Sequence, residues 1–225
     1  MKNEDLEYTY KNLRSKKFDD IYYNKDTGLE ESRYVFISGN SLENRNFNQS
    51  LTIGETGFGT GLNFLATWDR FRNGFINASQ LHYQSVELNP IERTDLTSIL
   101  EDWMELDTIV ALFLEQWNIE GKTSIHLEWP EERVKLTVYF GEAQKNINKF
   151  NICDAWYLDG FNPESNPSLW NKNIYSMIYD KSLEGTTIAT YTSKGTVKRE
   201  LRDAGFTIKR LKGYGKKRHM IHGIK

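Results

Sequence analysis

The sequence predicts an α/β fold built on a mostly parallel sheet with helices on both faces. Three observations carry that expectation. From Ser50 onward strand-like and helical segments alternate, a glycine-rich turn separates the first strand from its helix, and the chain closes on two strand-like runs joined by a basic turn. A tight turn joins only antiparallel strands, so the closing pair places one antiparallel strand at the end of the sheet.

The elements follow in order. Residues 1–49 read as an N-terminal extension with two short extended pieces, DDIYYN and RYVFIS, and KDTGLEE between them as a turn. SLTIGE is strand-like, and LNFLATWDRF is helical because Leu62, Leu65, Trp68 and Phe71 recur every three or four residues. LHYQSVEL is a strand ending in an acid; ERTDLTSILEDW and LDTIVALFLEQWN are helical. VKLTVYFG alternates like a strand, CDAWYLDGF is a buried strand, and NIYSMIYDKSL is helical. GTTIATYTS is a strand, KGTVKRELRDAG a helix, and FTIKRLKGYGKKRHMIHGI the closing pair.

The bulk numbers bound the function. A chain of 225 residues, 38% hydrophobic, suits one large domain with or without an extension. The charged N-terminus resembles no signal peptide and no apolar run approaches the ~20 residues that span a bilayer, so a soluble cytoplasmic protein is expected. Cys153 is the only cysteine, which excludes an intrachain disulfide and a cysteine metal cluster; its apolar setting reads as a structural thiol. His219 and His222 lack a third ligand and read as structural, so no metal is expected. Net charge is only −2, but from Lys194 onward eleven Lys or Arg face two acids, Glu200 and Asp203. That leaves +9 in the tail and −11 before it, an asymmetry that points to an anionic partner, with an ordinary solvated face as the alternative.

LTIGETGFGTGLNFL sets Gly57, Gly59 and Gly61 between a strand and a helix, where bare backbone and free helix N–H groups can meet a ligand. The lysine of a phosphate-binding GxxxxGK[ST] loop is missing, and GxGxxG fails because Leu62 or Phe64 stands where the third glycine belongs. What remains is E-x-G-x-G-x-G led by Glu55. An acid there repels a pyrophosphate but suits a cationic ligand, and S-adenosylmethionine carries an amino group and a sulfonium with no phosphate. Glu87, ending the next strand, is placed for both ribose hydroxyls. Gly141 and Glu142 in VYFGEA offer an edge for an adenine amino group. In DAWYLDGFNPESNPSLW, Asp159 ends a strand close to the cofactor and Phe161 stands where an aromatic base could stack; a turn cap and a core residue are the alternatives.

GETGFGTGLNFL, DAWYLDGFNPESNPSLW, SKGTVKRELRDAGF and KGYGKKRHMIHG resemble the methyltransferase domains of the bacterial bifunctional enzymes of tRNA 5-methylaminomethyl-2-thiouridine biosynthesis (the MnmC family). FDDIYYNKDTGLEESRYVFISGN matches their N-terminal extension, so the resemblance runs from about Phe18 to Gly223. It implies a class I S-adenosylmethionine-dependent, Rossmann-like fold over residues 50–225. Its seven-stranded mostly parallel sheet would carry the antiparallel C-terminal hairpin, with residues 1–49 packed on the site. It also implies methyl transfer to the primary amine of a 5-aminomethyl-(2-thio)uridine at the tRNA wobble position. Carried over by motif, Glu55, Gly57, Gly59 and Gly61 would line the methionine part of the cofactor, with Phe58, Asn63 and Asp159 also among its contacts. Glu87 would hold the ribose and Gly141 and Glu142 the adenine side, while Asp159 would stand between cofactor and substrate as the catalytic residue. Asn162 and Glu164–Ser165 depart from the Ala and Ala-Lys more usual in the family, which alters loop contacts to tRNA rather than the chemistry.

For RNA, Lys194, Lys198, Arg199, Arg202, Lys216, Lys217 and Arg218 are the expected phosphate contacts, with Phe161 on a base and Glu30, Glu31 and Tyr34 closing the site. The chain ends just after the methyltransferase motifs, so it is expected to contain no flavin and to methylate an amine that a separate enzyme provides. Two other readings stay open. A methyltransferase of protein or small-molecule amines would prefer those substrates to RNA, and a non-catalytic RNA-binding relative would fail to bind the cofactor.

Overall fold

A computed structural model describes residues 6–8 and 12–225. Three short strands, β1 (Leu6–Tyr8), β2 (Asn12–Ser15) and β3 (Asp20–Asn24), form a small antiparallel sheet. Helix α1 (Gly28–Ser32) runs directly into a π-helical turn, Arg33–Ser38, closed by the Gly39 N–H donating to the Tyr34 carbonyl at 3.1 Å. RYVFIS is therefore helical and not extended. Its β-branched and aromatic residues favour a strand, yet Val35, Phe36 and Ile37 are buried consecutively and show none of the alternation a half-buried strand requires.

The remaining elements are β4 (Asn46–Thr56), α2 (Leu62–Arg72), β5 (Asn77–Glu87), α3 (Arg93–Leu100), α4 (Asp107–Gln116), β6 (Ser124–Trp129) and β7 (Val134–Phe140). They continue with α5 (Ala143–Asn146), β8 (Cys153–Leu158), α6 (Lys172–Asp180), β9 (Ser182–Thr190), α7 (Gly195–Asp203), β10 (Thr207–Leu211) and β11 (Met220–Ile224). The large sheet has the order β10-β11-β9-β8-β4-β5-β7-β6. Strands β9, β8, β4, β5 and β7 run parallel, and β11 is the antiparallel strand that the closing hairpin demands.

Two boundaries differ from expectation. The sheet has eight strands where seven were expected, because SIHLEW adds the edge strand β6, antiparallel to β7 across a turn at Pro130–Arg133. Its side chains alternate between buried Ile125, Leu127 and Trp129 and exposed neighbours, a pattern too short to stand out beside the stronger β7 run. The first strand of the sheet begins at Asn46 and not at Ser50, since the polar NFNQ segment already pairs with Asn77 and Ala78.

Both faces of the sheet are covered, as a parallel sheet requires. Successive residues of β8 serve opposite cores: Ala155 and Tyr157 pack with Phe64, Trp68 and Phe113 under α2 and α4. Trp156 and Leu158 pack with Ile174, Ile178, Val197 and Leu201 under α6 and α7. Gly54 sits at the centre of β4 opposite Trp156, and a Cβ there would come within 2.5 Å of the indole ring. Replacing Gly54 with Ala should therefore destabilise the fold by about 1–3 kcal/mol. Urea unfolding checks this; an unchanged midpoint would mean that Trp156 repacks freely.

Candidate functional site

From β4 the chain builds β5, β7 and β6 on one side and then crosses back to place β8 on the other, so the order reverses between β4 and β8. Ligands of open α/β sheets bind outside the carboxyl ends of the strands at such a reversal. Here it presents Gly57 after β4 and Asp159 after β8, and a cavity of about 440 Å³ opens above them. Its walls include Gly57, Phe58, Gly59, Asn63, Glu87, Gly141, Glu142, Asp159 and Phe161 of the residues singled out from sequence, together with Glu31 and Lys217.

The turn after β4 is shaped by close approach. Gly57 has φ +90°, and a Cβ there would lie 3.2 Å from the Gly160 Cα, so the two strand-end loops touch through bare backbone. The Gly57 and Phe58 N–H groups both donate to the Val86 carbonyl at 3.0 Å. Glu87 completes the turn: one oxygen accepts the Gly59 N–H at 2.7 Å and the other the Asn89 N–H at 2.8 Å. Burial pushes its pKa up, opposed by those same backbone donors. A carboxylate oxygen accepts more than one hydrogen bond, so Glu87 keeps acceptor capacity toward the cavity for a pair of hydroxyls.

Asn63, in the first turn of α2, joins three segments. Its Nδ2 donates to Glu55 Oε1 at 2.9 Å and to Asp159 Oδ2 at 2.7 Å, while its Oδ1 accepts from Ser32 Oγ at 2.5 Å. Glu55 is fully buried and its other oxygen accepts from Ser85 Oγ at 2.7 Å. Burial, followed by the nearby Asp159 charge, drives the Glu55 pKa up to about 8. Asp159 faces the cavity and is pushed up to about 6, again by burial, against stabilisation from the Gly160 N–H and the Asn63 amide. Two carboxyls on one amide thus differ in state near neutrality: Glu55 protonated, Asp159 largely ionised.

Several expectations need correction. Glu55 does not line the cavity; paired in β4 with Ser85 and Tyr157, it is buried with its carboxyl against the Asn63 amide and the Ser85 hydroxyl. Gly61 also stands outside the lining and instead starts α2 with φ +78°, packed against the Phe58 ring. Tyr34 and Glu30 do not close this cavity. Tyr34 donates to the Lys212 carbonyl at 3.1 Å beside Tyr214, Glu30 pairs with Arg33, and both line a neighbouring cavity. Among the residues expected to meet phosphate rather than cofactor, which the cavity does not test, Lys194 is engaged by Asn162 at 2.8 Å and Glu164 at 2.7 Å, and with Lys198, Arg199, Arg202, Lys216 and Arg218 it stands outside the cavity walls. Lys198 shares its face with Arg199, Arg202 and Arg210, whose charges lower its pKa, Arg210 most. Glu142 reaches Lys145 at 3.0 Å from the cavity wall.

Phe161 faces the cavity with Phe18 already stacked on it, ring centroids 4.5 Å apart, and Tyr22 against its edge. Asp20 ties that hairpin down by accepting the Asn162 N–H at 2.7 Å. Asp20, Tyr22, Ser32 and Tyr191 all belong to the site and were missed. Tyr191 directly follows β9, a strand-end position that offered a signal; Asp20 meets Asn162 across 142 residues and offered none. Cys153 is buried with its thiol pushed up by burial, and His222 Nδ1 bonds to the Gly39 carbonyl at 2.8 Å; both are structural. Among the described residues no group of three or more His, Cys, Asp or Glu is arranged to hold a metal ion, and no helix is long and apolar enough to cross a membrane.

The raised Glu55 pKa has a consequence for stability. A buried acid whose folded pKa lies above its unfolded value favours the fold fully at low pH, and that contribution is lost as pH rises from about 4.5 to about 8. Glu55→Gln keeps a neutral side chain and should flatten the pH dependence of unfolding across that window. Denaturant titrations at several pH values check it; an unchanged slope would mean that Glu55 ionises normally in the fold.

A family model described as S-adenosyl-L-methionine-dependent methyltransferase matches residues 104–225. A tRNA 5-methylaminomethyl-2-thiouridine biosynthesis bifunctional protein MnmC from Marinomonas sp. (strain MWYL1) is 38% identical over 213 residues, covering 93% of this chain and 32% of that protein. The protein of the same name from Legionella pneumophila (strain Lens) is 38% identical over 227 residues, covering 92% and 34%. The chain thus spans about a third of the length of these relatives. Among solved structures, MNMC2 from Aquifex aeolicus superposes with a TM-score of 0.74 at 23% identity, over 98% of this chain and 70% of that one. TrmN from Thermus thermophilus gives 0.51 at 12% identity, over 84% and 47%. The fold is shared with both, and with the family model spanning more than half of its residues the chain belongs to the S-adenosyl-L-methionine-dependent methyltransferases.

Proposed function

We propose that this protein transfers a methyl group to the primary amine of a 5-aminomethyl-uridine at the wobble position of tRNA. The observation that carries the reading is the cavity at the β4–β8 reversal, where Glu87 and Asp159 converge in a chain 38% identical to MnmC proteins. The residues present fit S-adenosylmethionine: bare backbone at Gly57, acceptor capacity on Glu87 for the ribose, and the wall at Gly141 and Glu142 for the adenine side. When bound, that cofactor supplies an electrophilic methyl carbon. Everything else falls to this chain.

The acceptor must present a lone pair, and an alkylamine with a pKa near 10 costs ~4 kcal/mol to deprotonate at pH 7. Asp159 offers one carboxylate oxygen to the amine while Asn63 holds the other at 2.7 Å. A pKa of about 6 leaves it ionised at neutral pH, able to orient the amine and take its proton directly or through water. A carboxylate also stabilises the ammonium, so Asp159 acts best where Gly160 and Asn63 draw its charge and the cavity walls exclude bulk water. Fixed positioning supplies the rest of the acceleration. The Lys and Arg side chains of α7 and of the β10–β11 loop carry the phosphate attraction.

The deciding experiment incubates the protein with S-adenosylmethionine and tRNA bearing the unmethylated 5-aminomethyl group, followed by nucleoside mass analysis. One added methyl on that nucleoside is expected; none, with cofactor binding intact, discards this substrate in favour of a protein or small-molecule amine. Asp159→Asn should retain cofactor binding and lose roughly 100-fold or more in turnover. Unchanged turnover removes Asp159 from the chemistry. Replacing Lys216 and Arg218 with Ala should reduce the dependence of log affinity on log salt by roughly one to two. A slope equal to wild type dismisses that loop as a phosphate contact.

A further inference from the structure

Lys217 and Glu31 stand 186 positions apart in the chain and meet inside the cavity, Lys217 Nζ to Glu31 Oε1 at 2.7 Å. The same ammonium lies 5.0 Å from the centroid of the Tyr191 ring. Tyr191 is fixed by its hydroxyl donating to the Gly160 carbonyl at 2.9 Å, which sets the ring beside Asp159. A carboxylate, an aromatic face and a second carboxylate nearby are the groups that recognise a primary ammonium. Asp159 feels both members of the pair, Glu31 raising its pKa and Lys217 lowering it.

We propose that Glu31, Tyr191 and Asp159 form the subsite for the acceptor's primary amine, and that the Lys217 ammonium occupies it in the free protein as an intramolecular stand-in. The proposal rests on the RNA methylation reading above and names the site within it. As a structural strap the pair is poorly suited: Lys217 is half exposed, and such pairs contribute little stability. The loop is already held by the Tyr34 hydroxyl on the Lys212 carbonyl and by the Lys217 N–H on the Tyr214 carbonyl. An incoming aminomethyl group arrives with the same charge and hydrogen-bond donors as the lysine it displaces. Exchange at Glu31 is therefore charge-neutral.

The test uses two anticodon stem-loop RNAs, identical except that one carries 5-aminomethyl-uridine and the other uridine at the wobble position. The ratio of their Kd values reports the amine alone, because phosphate contacts cancel. Removing an internal competitor raises the apparent affinity for the ligand it excludes, so Lys217→Met should increase the preference for the amine about three- to tenfold. Lys217→Arg, which retains a cation for Glu31, should keep the wild-type ratio, and Glu31→Gln should bring the ratio toward one. A ratio unmoved by Glu31→Gln, or unmoved or lowered by Lys217→Met, overturns the subsite. Thermal melting of each variant confirms that the fold is intact. If the wild-type protein fails to methylate the aminomethyl stem-loop, the function itself falls; if it methylates while the ratios stay fixed, only the subsite does.

Discussion

The Asn63 side chain is the constraint on which the site depends. A primary amide has two N–H donors and one carbonyl, and here they reach β4 through Glu55, the β8 loop through Asp159, and α1 through Ser32. Each partner belongs to a different segment, and each is fixed in direction by the planarity of one group. Its place in the first turn of α2 follows from Gly61, whose left-handed backbone turns the chain from the glycine loop into the helix. The glycines thus do two different things: Gly57 lets the two strand-end loops touch, while Gly61 aims the amide.

That amide also sorts the two carboxyls. Glu55 and Asp159 are both desolvated, and two neighbouring charges in such surroundings repel. The deeper group bears the larger burial cost and stays protonated, which leaves the cavity-facing one to carry the charge. A carboxyl that leads a glycine loop thereby acts at one remove: it supports Asn63, and Asn63 supports Asp159. Ser85, on β5, completes the support from below.

Charge is divided unevenly over the protein. The cavity is lined by acids and aromatic rings, in keeping with the cationic donor and amine acceptor proposed above, while the basic residues gather on α7 and the β10–β11 loop. Lys217 is the exception that belongs to both, since it extends from the basic loop to a cavity acid. The N-terminal hairpin covers the same cavity from the other side, with Phe18 on Phe161 and Asp20 on the Asn162 N–H.

Much of this was legible in the residues. The alternation of segments, the glycine loop, the strand-end acids Glu87 and Asp159 and the closing hairpin are local patterns. They arise from backbone conformational preference and from the periodicity of burial, which neighbouring residues express together. The strand β6 and the helical RYVFIS segment were not legible, because one is a short edge pairing and the other is decided by what lies against Val35, Phe36 and Ile37. Composition and motif likewise marked Glu55 as part of the site but not its depth. Which carboxyl faces the cavity, which is held neutral beneath it, and that Ser32, Asp20, Tyr191 and Lys217 converge on the same space were decided by tertiary structure. The physical reason is that desolvation and hydrogen-bond partnership belong to groups brought together across as many as 186 positions of chain, and no local stretch of sequence encodes them.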